Sequence, residues 1–87
     1  MNYKLFSVRD AKSEIFHPPW FKLTHGEAER DFRSAVNDEK TNLNKYPEDY
    51  DLYYVGEYDD NSGRFSPLDT PQHVIKAVQC FRAPSPT

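Results

Sequence analysis

The stretch Asp51 to Tyr58, DLYYVGEY, constrains the fold of this 87-residue chain more than any other. Leu52, Tyr54, Gly56 and Tyr58 fall on one side of an extended backbone, and Tyr53, Val55 and Glu57 on the other. That period of two, in residues that favour strands, predicts a β-strand. Asp59-Asp60-Asn61-Ser62-Gly63 follows as turn chemistry, with Gly63 suited to the left-handed position of a bulged hairpin, and Arg64 to Ser66 begin the returning strand.

A chain of this length buries only roughly 60% of its unfolded surface, so the core must be small. Aromatic residues make up 15% of the sequence, and each ring can remove about 150–250 Å² from water, which offsets the low total hydrophobicity. The expected core is Phe6, Phe32, Leu52, Tyr54, Val55, Ile75 and Val78.

Tyr3 to Val8 alternates in the same way and reads as a second strand. Arg9 to Glu14 suits a turn, and Ile15-Phe16 begins another extended segment. His17-Pro18-Pro19 then keeps the chain extended and places that strand at an edge or interrupts it, because proline lacks an N–H and disfavours helix in the residue before it. A short strand fits Trp20 to Leu23.

From Glu27 to Asn37, the apolar positions Ala28, Phe32, Ala35 and Val36 recur at helical spacing among charged residues. Thr24 is the expected N-cap, Glu27 its capping-box partner, and Asn37 a left-handed C-terminal residue. Asp38 to Glu48 reads as a surface connection. Val74, Ile75, Ala77 and Val78 fit one face of a second helix, with Thr70 as cap and Pro71 at its first position, although eight residues can also serve a strand. The expected fold is therefore α+β: a small antiparallel sheet packed against one main helix, with a short C-terminal helix. One domain spans residues 1–80, and residues 81–87 (FRAPSPT) form a flexible tail.

Reactive constellations are missing from the sequence. His17, His25 and His73 sit in no metal-ligand spacing, Ser34 and Ser62 lack a nucleophile-elbow context, and Cys80 is a lone thiol. Glu48, Asp49, Asp51, Glu57, Asp59 and Asp60 are too dispersed to converge on a magnesium ion, and three scattered glycines form no phosphate loop. No catalytic residue, metal or cofactor is expected. The apolar runs fall far short of the ~20 residues of a membrane span, and a single cysteine fits a reducing cytoplasm.

Charge is uneven. Residues 1–45 carry eight Lys/Arg against seven Asp/Glu, whereas residues 46–87 carry three against seven, for a net charge of −3. That balance argues against a histone-like binder of duplex DNA. The remaining candidate joins Trp20, Phe21 and Lys22 with Arg30, Arg33, Lys40 and Lys45, because rings stack on unpaired bases while cations follow phosphates. Spacing alone favours a blander arrangement: Trp20 and Phe21 in the core beside Phe32, and Arg30 and Arg33 paired with Glu27, Glu29 or Asp31 along the helix.

The order PPWF, ERDFRSAVND and KYPEDYDLYYVGEYDDNSGRF resembles the small non-structural proteins of gokushoviruses, single-stranded DNA bacteriophages of the Microviridae. The resemblance runs nearly to Cys80 and leaves the FRAPSPT tail outside. It implies a phage protein of the host bacterial cytoplasm that acts in viral DNA synthesis or genome handling by binding single-stranded DNA. It carries no catalytic motif. Homodimerisation through free strand edges, or contact with a phage or host replication protein, is compatible with it. The alternative is an interaction adaptor in replication or capsid assembly, with Tyr50, Tyr53, Tyr54 and Tyr58 as aromatic anchors.

Overall fold

The computed structural model describes residues 1–82, and its framework is a curled antiparallel sheet built around the chain's first strand. Strand β1 (Asn2–Asp10) lies between β4 (Tyr50–Asp59) on one side and two short strands, β2 (Ile15–Phe16) and β3 (Trp20–Lys22), on the other. Lys4 to Phe6 pair with β3, and Arg9 and Asp10 pair with β2. The step between the two falls at Pro18-Pro19. There Ser7 donates its hydroxyl to the His17 carbonyl at 2.6 Å, and His17 donates its N–H to Val8 at 2.8 Å. The prolines interrupt an edge, where missing N–H groups cost least.

Strand β5 (Arg64–Lys76) returns from the expected hairpin and closes the sheet order β2-β1-β4-β5. Gly63 takes a φ of 74° in the turn, the left-handed conformation that its sequence context predicts. Gly56 serves close approach. A Cβ there would lie 2.8 Å from the Ser66 carbonyl oxygen and 3.0 Å from Pro67 Cα, so the absent side chain is what lets β5 cross at this point.

The expectation of one main helix on a small sheet is overturned: strand accounts for 45% of the described residues and helix for 28%. The largest discrepancy lies at Pro67 to Lys76. Pro71, expected at the start of a helix, is carried within β5 together with Pro67. Two register shifts accommodate them, one between Leu52 and Tyr53 and one between Tyr54 and Gly56 on β4. An edge strand with bulges can hold residues that a central strand cannot. The C-terminal helix starts later than expected, as the single turn α3 (Ala77–Cys80). Ile75 pairs opposite Leu52 as a strand residue packed against the core, whereas Val78 is 47% exposed and Val55 only half-buried.

All the helices lie on one face. Helix α1 (His25–Val36) starts where Thr24 accepts the Glu27 N–H at 3.1 Å, and it buries Ala28, Phe32 and Val36, four residues apart, against Phe6, Val8, Leu52 and Tyr54. Twelve residues are too few for a stable helix alone, so this stripe holds it. Phe32, 1% exposed, contributes roughly 1.5–3 kcal/mol by burial. Helix α2 (Asn42–Lys45) and a 3-10 turn (Pro47–Asp49) occupy the expected connection, and Ala77 and Cys80 of α3 close the core.

The opposite face carries rings instead of helices. Residues directly across a ladder share a face, and Tyr3, Tyr58 and Phe65 are such partners, as are Leu5 and Phe21. Phe21 lies 5.3 Å from Tyr58 and 6.4 Å from Phe65 between ring centroids. Leu5 is buried beneath this group, outside the main core.

Candidate nucleic-acid interface

The expected rings and cations separate onto different surfaces. Trp20 stands opposite Phe6 and packs towards the core, with its indole N–H buried and without an acceptor among the described residues. Phe21 points to the other side of the sheet and is 45% exposed. Lys22 reaches α1 instead of solvent, pairing with Asp31 at 3.0 Å. Lys40 and Lys45 are exposed on the segment after α1.

Arg30 and Arg33 remain together. Three apart on α1, they project from one side of the helix and line an open depression of about 500 Å³. Neither forms an ion pair with a carboxylate within 4.0 Å among the described residues, so the pairing with Glu27, Glu29 or Asp31 that spacing favours does not occur. Asp31 is engaged by Lys22. The guanidinium groups keep their donors for another acceptor.

A third guanidinium, Arg82, comes from the far end of the chain, with Phe81 beside it. Sequence reasoning assigned both to the tail. Asn37 brings them in: its Oδ1 accepts the Arg82 backbone N–H at 2.8 Å, and its Nδ2 donates to the Arg33 carbonyl at 2.9 Å and the Cys80 carbonyl at 3.0 Å. Asn37 has φ −95°, so the expected left-handed backbone is not adopted; its backbone N–H donates to the Arg33 carbonyl at 3.1 Å and its side chain adds to that end. The remainder of the expected tail, residues 83–87, lies outside the described residues.

The end of a helix opposes a bound anion through its exposed carbonyls. Here three of the last four, those of Arg33, Ala35 and Val36, are occupied. Thr41 donates its hydroxyl to Ala35 at 2.6 Å, Asn44 donates its amide to Val36 at 2.9 Å, and Asn37 covers Arg33. Among the charged residues lining the depression, three arginines face one carboxylate, Glu39. Burial pushes the nearby Cys80 thiol up, and the Arg33 charge works against that shift. No group of three or more His, Cys, Asp or Glu among the described residues could hold a metal ion, and no helix among them is long and apolar enough to cross a membrane.

Sequence defines the class: the chain belongs to the Phage ORF5 protein family, whose model matches residues 3–80. Within that class, it is similar to Protein ORF5 of Chlamydia phage 1, a gokushovirus of the Microviridae. The two are 36% identical over 74 residues, which span 79% of this chain and 76% of that protein. No solved structure matches. The family match stops at Cys80, so Arg30, Arg33 and Asn37 lie within it while Phe81 and Arg82 lie beyond.

Proposed function

We propose that this ORF5-family protein is a non-enzymatic, non-structural phage protein of the host cytoplasm that acts in viral DNA synthesis or genome handling by binding single-stranded DNA. The observation that carries the reading is the convergence of Arg30, Arg33 and Arg82 on one depression without carboxylate ion pairs among the described residues. Unpaired guanidinium groups are suited to phosphate, which they grip in a planar fork. Three contacts on a single strand give a slope of log affinity against log salt of about −2.

The test is a fluorescence titration of labelled single-stranded and duplex oligonucleotides at two salt concentrations. The single strand should bind better, and Arg30→Ala with Arg33→Ala should flatten the salt slope by about 1.4 while circular dichroism stays unchanged. Absence of a salt-sensitive preference for the single strand refutes the reading.

A second reading, an adaptor for a phage or host replication protein or for a second copy of the chain, draws on the exposed rings of Phe21 and Phe65 beside Tyr58. Tyrosine and phenylalanine are enriched at the centres of protein interfaces. Strand edges offer less: β2 and β3 cover one side of β1, and the free edge at β5 contains two prolines. Replacing Phe21 and Phe65 with Ser should abolish partner capture and leave DNA affinity unchanged if the two surfaces work independently.

A further inference from the structure

The depression is built for more than a phosphate. Its volume of about 500 Å³ falls in the range of small-ligand sites, roughly 300–1,000 Å³. Its lining joins cations to one flat ring, Phe81, which is 36% exposed and adjacent in sequence to Arg82. Phe81 is held in place, since its N–H donates to the Ala77 carbonyl at 3.0 Å and the next residue is tied to Asn37. Ser34 and Asn44 add polar side chains to the walls.

We infer that this depression takes one unpaired nucleotide of the bound strand, with its phosphate on Arg30, Arg33 and Arg82 and its base stacked on Phe81. The inference rests on the single-strand reading above and adds to it a base-sensing element outside the segment that the family model matches. Rings stack on any base, so the site distinguishes a base from its absence more strongly than one base from another. A duplex cannot use it, because its bases are already stacked on each other and paired.

The experiment compares a labelled oligothymidylate with an abasic strand of equal length, for the full chain and its variants. The wild type should bind the oligothymidylate roughly tenfold better. Phe81→Leu should reduce that affinity to the abasic level while leaving the abasic strand unaffected, and Phe81→Trp should restore the difference. Arg82→Gln should weaken both strands equally and flatten the salt slope by about 0.7. In competition, thymidine monophosphate should displace the strand at a lower concentration than inorganic phosphate.

Equal loss for both strands in Phe81→Leu, no loss for either, or equal competition by inorganic phosphate would each overturn the nucleotide site while leaving single-strand binding in place. Failure of the wild type to bind either strand removes the broader reading instead.

Discussion

Asn37→Ala tests how the fold and the candidate interface depend on one side chain. The substitution deletes three hydrogen bonds, to the carbonyls of Arg33 and Cys80 and from the N–H of Arg82, at 2.8–3.0 Å. A hydrogen bond contributes about 0.5–1.5 kcal/mol net, and the Arg82 bond is exposed, so water replaces much of it. The other two are partly buried. The expected loss is therefore about 1.5–3 kcal/mol, a large fraction of the ~5–15 kcal/mol typical of a natural domain. Urea denaturation should show a lower midpoint with an unchanged slope. Asn37→Asp sharpens the test, because it keeps the acceptor for Arg82 but turns a carboxylate oxygen towards two carbonyls. It should be at least as destabilising as Ala. A loss below about 0.5 kcal/mol in both variants, no more than the low end for a single hydrogen bond, would refute the clamp.

Other perturbations probe separate parts of the fold. Gly56→Ala drives a Cβ to 2.8 Å from the Ser66 carbonyl, and an overpacked site of this kind should lose about 1–3 kcal/mol in thermal or urea unfolding. Tyr50 and Tyr54 have hydroxyl pKa values raised above 10.0, first by burial and then by neighbouring acidic groups. Because the folded values are the higher ones, their contribution is complete below pH 10.0 and is lost as pH rises through the folded values. Urea midpoints should fall as pH rises above 10.0, and Tyr54→Phe should lessen that fall. Cys80 is 2% exposed and its thiol is pushed up by burial, so a thiol reagent should modify it only at the rate of local opening and much faster in urea.

The elements legible in the sequence were those whose signal is local. Leu52, Tyr54 and Gly56 take alternate positions in a run of strand-favouring residues, Gly63 follows a run of turn residues, and Ala28, Phe32 and Val36 recur at the helical period; each pattern is complete within a dozen residues. The end of β5 has no such signal. Val74, Ile75, Ala77 and Val78 satisfy a helical face, and the strand wins because Ile75 meets Leu52 across the sheet and bulges absorb the prolines. A pairing partner over twenty residues away is invisible to a short window. The interface divides in the same way. Arg30 and Arg33 were visible as a basic pair on one helix, but no local signal showed that they stay without carboxylate partners among the described residues, or that Lys22 of β3 takes Asp31. Arg82 joins them through an amide 45 residues earlier in the chain, and proline-rich surroundings gave no sign of that attachment.

The position of β1 shapes how the molecule must assemble. Strand β1 is flanked on both sides in the finished sheet, and its longest partner, β4, begins only at Tyr50. Until β4 joins it, β1 can pair only with the short β2 and β3, whose few hydrogen bonds cannot offset the entropy of ordering the chain. Phe6 and Val8 of β1 therefore stay without their long-strand cover until Tyr50 to Asp59 is available to pair, so the core closes on a contact between distant parts of the chain.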